Sequence, residues 1–190
     1  MEMDLFEKAL LFAAKAHHGA RRKSQDIPYI LHPMEVAVIV SAMTEDREVM
    51  AAALLHDTVE DTEADLDTIE REFGPRVRKL VASQTEDKRP CIPRSQTWVI
   101  RKQEQMNTVA NTDDLDIIRL WLADKLANLR SFYRSKLENG DHVWDVFNQK
   151  DPALQEWYYR ESGRLTERLR DEASWQEYNE LLDKMFPPQK

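Results

Sequence analysis

The chain has one cysteine, four glycines and no excess of positive charge, and each shortage removes a class of protein. Cys91 alone makes neither an internal disulfide nor a thiolate metal site, so a reducing, cytoplasmic setting is expected. A net charge of -8 excludes the usual basic nucleic-acid surface, though it leaves room for a small anion held by local arginines. No apolar run approaches membrane-spanning length, and the opening Met1-Glu2-Met3-Asp4 is acidic where a secretory signal would be basic. A soluble, unexported protein with neither nucleic acid nor membrane as partner is expected. With so few glycines and no sustained period-two alternation, the apolar residues recur at helical spacing and predict an all-α fold. At 190 residues, one domain over the whole length 1–190 is expected.

What is present is a series of helix signals. Leu5, Ala9, Leu10, Phe12, Ala13 and Ala16 form the apolar side of a first helix over Asp4 to His17, closed by Gly19. Pro33 suits the first position of a second helix reaching about Met43, which puts His32 at its N-cap. A third helix starts near Thr44 to Arg47 and carries Val49 to Leu55 straight into His56 and Asp57. Leu66 to Phe73 stops at Gly74, and Pro75 opens the next helix through Ser83. From Thr85 to Thr112 the apolar pattern thins around Pro90 and Pro93, predicting a loop and then a loosely packed helix. Leu115 to Tyr133 resumes core spacing with Asp124 and Asn128 on one face, and Pro152 to Met185 predicts long helices packed on the outside.

Chemistry concentrates in His56-Asp57-Thr58-Val59-Glu60-Asp61-Thr62. On one continuous helix Asp57 would meet Glu60 and Asp61, all near the negative end of the helix dipole, where carboxylates are disfavoured. A bound divalent cation would resolve that repulsion. His32, His56, Asp57 and Asp124 stand on three separate predicted helices, where a core position gains nothing from a polar side chain. Together they form a candidate metal shell. Two imidazoles and two carboxylates suit Mn²⁺, Fe²⁺ or Zn²⁺, with the oxygen ligands leaning toward Mn²⁺. Taken singly, His32 reads equally well as a helix cap and Asp124 as a surface acid. Against the latter, Asp124 lies in Trp121-Leu122-Ala123-Asp124-Lys125-Leu126-Ala127-Asn128-Leu129-Arg130, a segment apolar enough to be mostly buried.

His32-Pro33, His56-Asp57 and Asp124 resemble the H…HD…D signature of metal-dependent HD-domain phosphohydrolases. The fuller blocks, Arg22-Lys23 with Pro28-Tyr29-Ile30-Leu31-His32-Pro33, then Ala52 to Thr62, Phe73-Gly74 and Leu122 to Arg130, are similar to the hydrolase domain of RelA/SpoT homologues. The resemblance spans about Leu5 to Arg134, leaving 135–190 as C-terminal packing helices. It implies an all-α, Mn²⁺-dependent enzyme that removes the 3′-diphosphate from guanosine tetra- and pentaphosphate alarmones, giving GDP or GTP and pyrophosphate. It carries over His32, His56, Asp57 and Asp124 as metal ligands, and Glu60 and Asp61 as the pair that handles the attacking water. The family's synthetase and regulatory blocks do not occur in the sequence, so a stand-alone small alarmone hydrolase is expected. Two departures bear on nucleotide recognition: Trp121 stands where relatives usually carry lysine, and the Thr85 to Thr112 segment aligns poorly.

A polyanionic substrate needs cations near the metal. Arg22 and Lys23, just before the His32 segment, are the leading candidates, because arginine grips a phosphate with two parallel hydrogen bonds and lysine acts as a point charge. Asn128, one turn after Asp124, is a candidate hydrogen-bonding group for base or ribose, or else a packing amide. Lys88, Arg101 and Lys102 read as a phosphate-closing flap or as a solvated loop. His17, His18 and the five tryptophans read as structural. Two other activities compete: another HD phosphohydrolase, such as one removing the 2′-phosphate of NADPH, and a sensor that binds an alarmone without cleaving it. Intact Glu60 and Asp61 speak against the sensor, which has no use for a water-handling pair.

Overall fold

The structure, a computed structural model, describes residues 3–22, 26–89, 91–147 and 149–187. Among the described residues it is all-α: α1 (Leu5–Ala16), α2 (Leu31–Ser41), α3 (Arg47–Leu55), α4 (Thr58–Asp61), α5 (Leu66–Phe73), α6 (Pro75–Gln84), α7 (Arg94–Ala110), α8 (Leu115–Asn139), α9 (Pro152–Leu165) and α10 (Ala173–Met185). Short 3₁₀ turns cover Gly140–Val146 and Glu167–Leu169. The helix starts are written in aspartates. Asp46, Asp65, Asp114 and Asp151 each accept a hydrogen bond from a backbone N–H in the first turn of the helix that follows. Gly74, at φ +90°, turns the chain between α5 and α6, and Pro75 occupies the first turn of α6 where its missing N–H is harmless.

Helix α3 sits at the centre. Val49, Ala51, Ala52, Ala53, Leu54 and Leu55 are all buried, and the run of alanines lets α1, α2 and α6 close around it. Helix α8 is the second axis, about 37 Å long at 1.5 Å per residue. It packs against α2, α3, α6 and α10, with Leu120, Trp121, Ala123, Leu126, Ala127 and Leu129 fully buried. These contacts bring the His32, His56 and Asp124 segments together, because α2, the end of α3 and the middle of α8 meet in one core.

Four expectations change. His32 is not an N-cap: α2 starts at Leu31 with Ile30 as its cap, and His32 lies inside the first turn, buried. The third helix does not run through His56 and Asp57. It ends at Leu55, where Thr58 Oγ1 donates to the Leu55 carbonyl at 2.6 Å, and a separate turn, α4, begins after Asp57. Glu60 and Asp61 therefore occupy the first turn of a new helix, the positive end, rather than the negative end of a long one. The segment after Pro93 is a full 17-residue helix, α7, whose core face includes Thr97, Arg101 and Gln105 beside Trp98, Met106 and Val109. Those buried polar residues interrupt the apolar period and hide the helix from a hydropathy pattern. Lastly, α9 and α10 complete the core rather than coat it: Tyr158, Tyr159, Tyr178 and Leu182 are buried, and α8 continues six residues past Tyr133 to meet them.

Candidate metal centre and its pocket

His56 follows the last residue of α3, and its ring bends back so that Nδ1 donates to the Ala53 carbonyl at 2.8 Å. A carbonyl only accepts, so the proton is on Nδ1 and the Nε2 lone pair faces away from the helix. What it faces is acid. His56 Nε2 lies 3.0 Å from Asp57 Oδ2 and 3.7 Å from Asp124 Oδ1. His32 Nε2 lies 3.2 Å from the same Asp124 oxygen and 3.5 Å from the same Asp57 oxygen. Four side chains from α2, α8 and the α3–α4 break thus point four atoms at one small volume.

Two observations test whether a cation fits there. Among the described residues His56 Nε2 is buried without a hydrogen-bond donor to it, and its other nitrogen is held by a backbone carbonyl, the arrangement that orients a metal-binding imidazole. Ligand atoms about 2.1 Å from one ion lie roughly 3.0–3.4 Å from each other, and the observed separations of 3.0–3.7 Å bracket that range. The potential ligand atoms of His32, His56 and Asp124 all lie within 4.8 Å of one another. The donor set fits a divalent cation.

The electrostatics agree with this arrangement. Burial alone would raise the Asp57 carboxyl, but His56 and then His32 hold it below the usual carboxylate range. Burial likewise would raise Asp124; Lys125, followed by the two histidines, holds it well below. His32 is lowered by burial, against the pull of Asp124, and so tends to stay neutral. For His56 the carboxylates overcome burial and raise its affinity for a proton, which sits where a cation would.

Glu60 and Asp61 stand one turn further. Burial, then the Asp57 and Glu86 carboxylates, push Glu60 up to about 7. Asp61 is bracketed by Lys88 Nζ at 2.5 Å from Oδ1 and by the Tyr29 hydroxyl at 3.3 Å from Oδ2. Lys88 also donates to the Glu60 carbonyl at 2.5 Å, so it is tied to the acidic pair and is neither a free flap nor a solvated charge.

Beside this cluster opens a pocket of about 460 Å³, lined by seven lysines and arginines against Glu60, Asp61 and Glu86. In a chain of charge -8, that local excess of positive charge marks a seat for an anion. Arg22 is part of it: its guanidinium donates to Asn128 Oδ1 at 2.9 Å and lies 5.7 Å from the Tyr29 ring centroid. Asn128 in turn donates to Asp124 Oδ1 at 2.7 Å, so both ends of its amide are engaged with protein, and it steadies the carboxylate instead of presenting a free amide. Arg101 is buried in an ion pair with Glu86, which also accepts from Lys102 at 2.5 Å. Those two cations brace the loop after α6. Lys23 lies outside the described residues.

Residues not singled out in the sequence also belong here. Tyr29 donates to Asp57 Oδ2 at 2.5 Å, bridging the Asp57 carboxylate and Asp61; it precedes α2, where no helical spacing ties it to His32. Lys125 Nζ is 2.5 Å from Asp124 Oδ2 and 4.0 Å above the Trp121 ring. Trp121 is thus the floor under a buried lysine. Glu86 gave no signal, because nothing local distinguishes it from a surface acid.

Residues 9–149 match the HD domain. Over 137 residues the chain is 39% identical to the putative GTP diphosphokinase RSH1, chloroplastic, of Arabidopsis thaliana, and over 127 residues 38% identical to the GTP pyrophosphokinase rsh of Brucella melitensis. These stretches cover 68% and 67% of this chain but only 15% and 17% of those longer proteins. In three dimensions the chain is similar to a metazoan ortholog of SpoT that hydrolyzes ppGpp and plays a role in starvation responses, with a TM-score of 0.72, 29% identity, and 98% of this chain and 96% of that one covered. It is also similar to a protein of Listeria monocytogenes EGD-e, with a TM-score of 0.70, 34% identity, and 85% and 97% of the two chains covered. A match of this extent, spanning the residues that converge beside the pocket, makes this chain a member of the HD-domain family, homologous to the hydrolase domains of RelA/SpoT proteins.

Proposed function

We propose that the protein is a Mn²⁺-dependent hydrolase of guanosine 3′,5′-bis(diphosphate) and its pentaphosphate analogue, releasing pyrophosphate from the 3′ position. One observation carries this reading: two imidazole nitrogens and two carboxylates converge beside a cationic pocket of nucleotide size, with an acidic pair one turn away. The similarity to a ppGpp-hydrolysing SpoT ortholog over nearly the whole chain supports the substrate class.

His32, His56, Asp57 and Asp124 would hold the ion; Mn²⁺ suits a shell of two nitrogens and two carboxylate oxygens. When bound, such a cation supplies charge stabilisation at a phosphoryl oxygen and makes water a better nucleophile at neutral pH. The chain's own residues do the rest. Glu60, raised toward neutrality by burial and its acidic neighbours, is suited to accept a proton from water near pH 7. Asp61, fixed by Lys88 and Tyr29, orients that water, and Lys88 offsets the negative charge of the pair. Arg22, anchored by Asn128, and the two pocket arginines not paired with an acid of the site, Arg21 and Arg94, receive the phosphates. We place the activity in the cytoplasm, where nucleotides are held and where the exposed Cys91 stays a free thiol. No helix among the described residues is long and apolar enough to cross a membrane.

The test is a substrate panel on purified protein. Release of pyrophosphate from guanosine tetraphosphate in Mn²⁺, abolished by EDTA, is expected. Metal-loaded protein with no turnover would overturn the reading, and faster orthophosphate release from NADPH would reassign the substrate.

A further inference from the structure

One buried polar atom beside the pocket takes no part in the chemistry above. His17, which caps the C-terminus of α1, is only 5% exposed, and its Nε2 has no hydrogen-bond partner among the described residues. Leaving such an atom unpaired in the folded protein is costly unless something else completes it. His17 lines the pocket together with Arg21, Arg22, Tyr29 and Asp61. Its ring lies 4.8 Å from the Tyr29 ring, tilted 40° to it, so its position is fixed by the same tyrosine that holds Asp57 and Asp61. Burial lowers its proton affinity, and a neutral ring carries its single N–H proton on one of the two nitrogens.

We propose that His17 is a substrate-binding residue whose Nε2–H donates to a phosphoryl oxygen of the bound nucleotide, on the side of the pocket where Arg21 and Arg22 stand. The proposal rests on the reading of the substrate as a phosphorylated nucleotide and adds a contact to it. A lone pair at Nε2 would repel a phosphoryl oxygen, so the Nε2–H tautomer is the one that the ligand selects.

Glutamine places its side-chain amide where Nε2 sits, and asparagine places it at Nδ1. His17→Gln should therefore keep the contact, while His17→Asn and His17→Phe lose it. The probe is inorganic pyrophosphate, titrated calorimetrically into metal-loaded protein, alongside KM for guanosine tetraphosphate. Losing a hydrogen bond to a charged group predicts pyrophosphate affinity weakened about 10- to 100-fold in the Asn and Phe variants, and within about threefold of wild type in Gln. Bound metal and the thermal midpoint should be unchanged. Wild-type affinity in His17→Phe, or an equal loss in all three variants, overturns the proposal. Should the Asn or Phe variant fold poorly, the wild type still decides: its His17 ring resonance, identified by its absence in His17→Gln, must shift on adding pyrophosphate, and no shift overturns it. Pyrophosphate binding through His17 without alarmone cleavage would leave this contact standing and sink the hydrolase reading; cleavage with full pyrophosphate affinity in the Asn and Phe variants would do the reverse.

Discussion

At the residue scale, side chains a single turn apart are expected to fail in different ways. Asp57→Ala removes an oxygen that lies 3.0 and 3.5 Å from the two imidazole nitrogens, so the variant should lose bound Mn²⁺, measured by metal analysis after dialysis. Glu60→Gln should keep the metal and lose turnover by about 10²–10⁴-fold, the usual contribution of a positioned base. Retained turnover in the second variant would remove Glu60 from the mechanism. The pH dependence follows from the same residue. Its carboxyl is raised from 4.5 to about 7, and the base works only when deprotonated, so kcat/KM should climb tenfold per unit and level off at or below about pH 7, since a bound cation can only pull the limb down. The stability effect has the opposite sense. Between about 4.5 and 7 the native state holds a proton that the unfolded state has lost, so stability falls as pH rises through that window, and Glu60→Gln should flatten the fall in urea titrations at several pH values. Tyr29→Phe deletes the donor to Asp57 and should weaken Mn²⁺ binding about 10- to 100-fold, with the fold intact by circular dichroism.

At the element scale, the break between α3 and α4 is the decisive feature. His56 and Asp57 both keep right-handed helical backbone angles across this junction, and their side chains reach one small volume from adjacent positions. Ending α3 at Leu55 frees the His56 ring to anchor on Ala53 and leaves Asp57, the residue before α4, with no capping bond to occupy its carboxylate. Thr58 secures the break through its hydroxyl bond to the Leu55 carbonyl, in a fully buried position. Thr58→Val keeps the shape and removes the bond. It should cost about 1–3 kcal/mol in denaturant unfolding and lower metal affinity with it; unchanged affinity would show that the break is held by other contacts.

For the molecule as a whole, the C-terminal helices bear on the site. Gln155, Tyr158 and Tyr159 of α9 line the pocket, and α10 packs along α8, which carries Asp124. Leu182 on α10 is 4% exposed, so Leu182→Ala should cost about 2–5 kcal/mol. At Gly163, an added Cβ would meet the Tyr178 ring at 3.1 Å, so Gly163→Ala should push α9 from α10 and raise KM more than it lowers bound metal. Equal loss of both would mean that the pocket wall and the metal cluster are one mechanical unit.

The amino-acid order by itself determined the helical class, most helix ends and the four residues that converge beside the pocket, because aspartate caps, Gly74-Pro75 and apolar spacing act over a few residues and leave local signatures. His32, His56, Asp57 and Asp124 stood out because polar groups in apolar segments conflict with burial. Only the tertiary structure decided that α7 is a packed helix, that Arg101 and Lys102 are spent on Glu86, and that Tyr29, Lys125 and His17 belong to the site. Each of those depends on a partner distant in sequence, or on a buried polar residue whose partner is unseen until the chain folds. A charge looks alike in solvent and in a buried pair. What separates the two is the neighbour brought by packing, and packing is settled by the whole core at once.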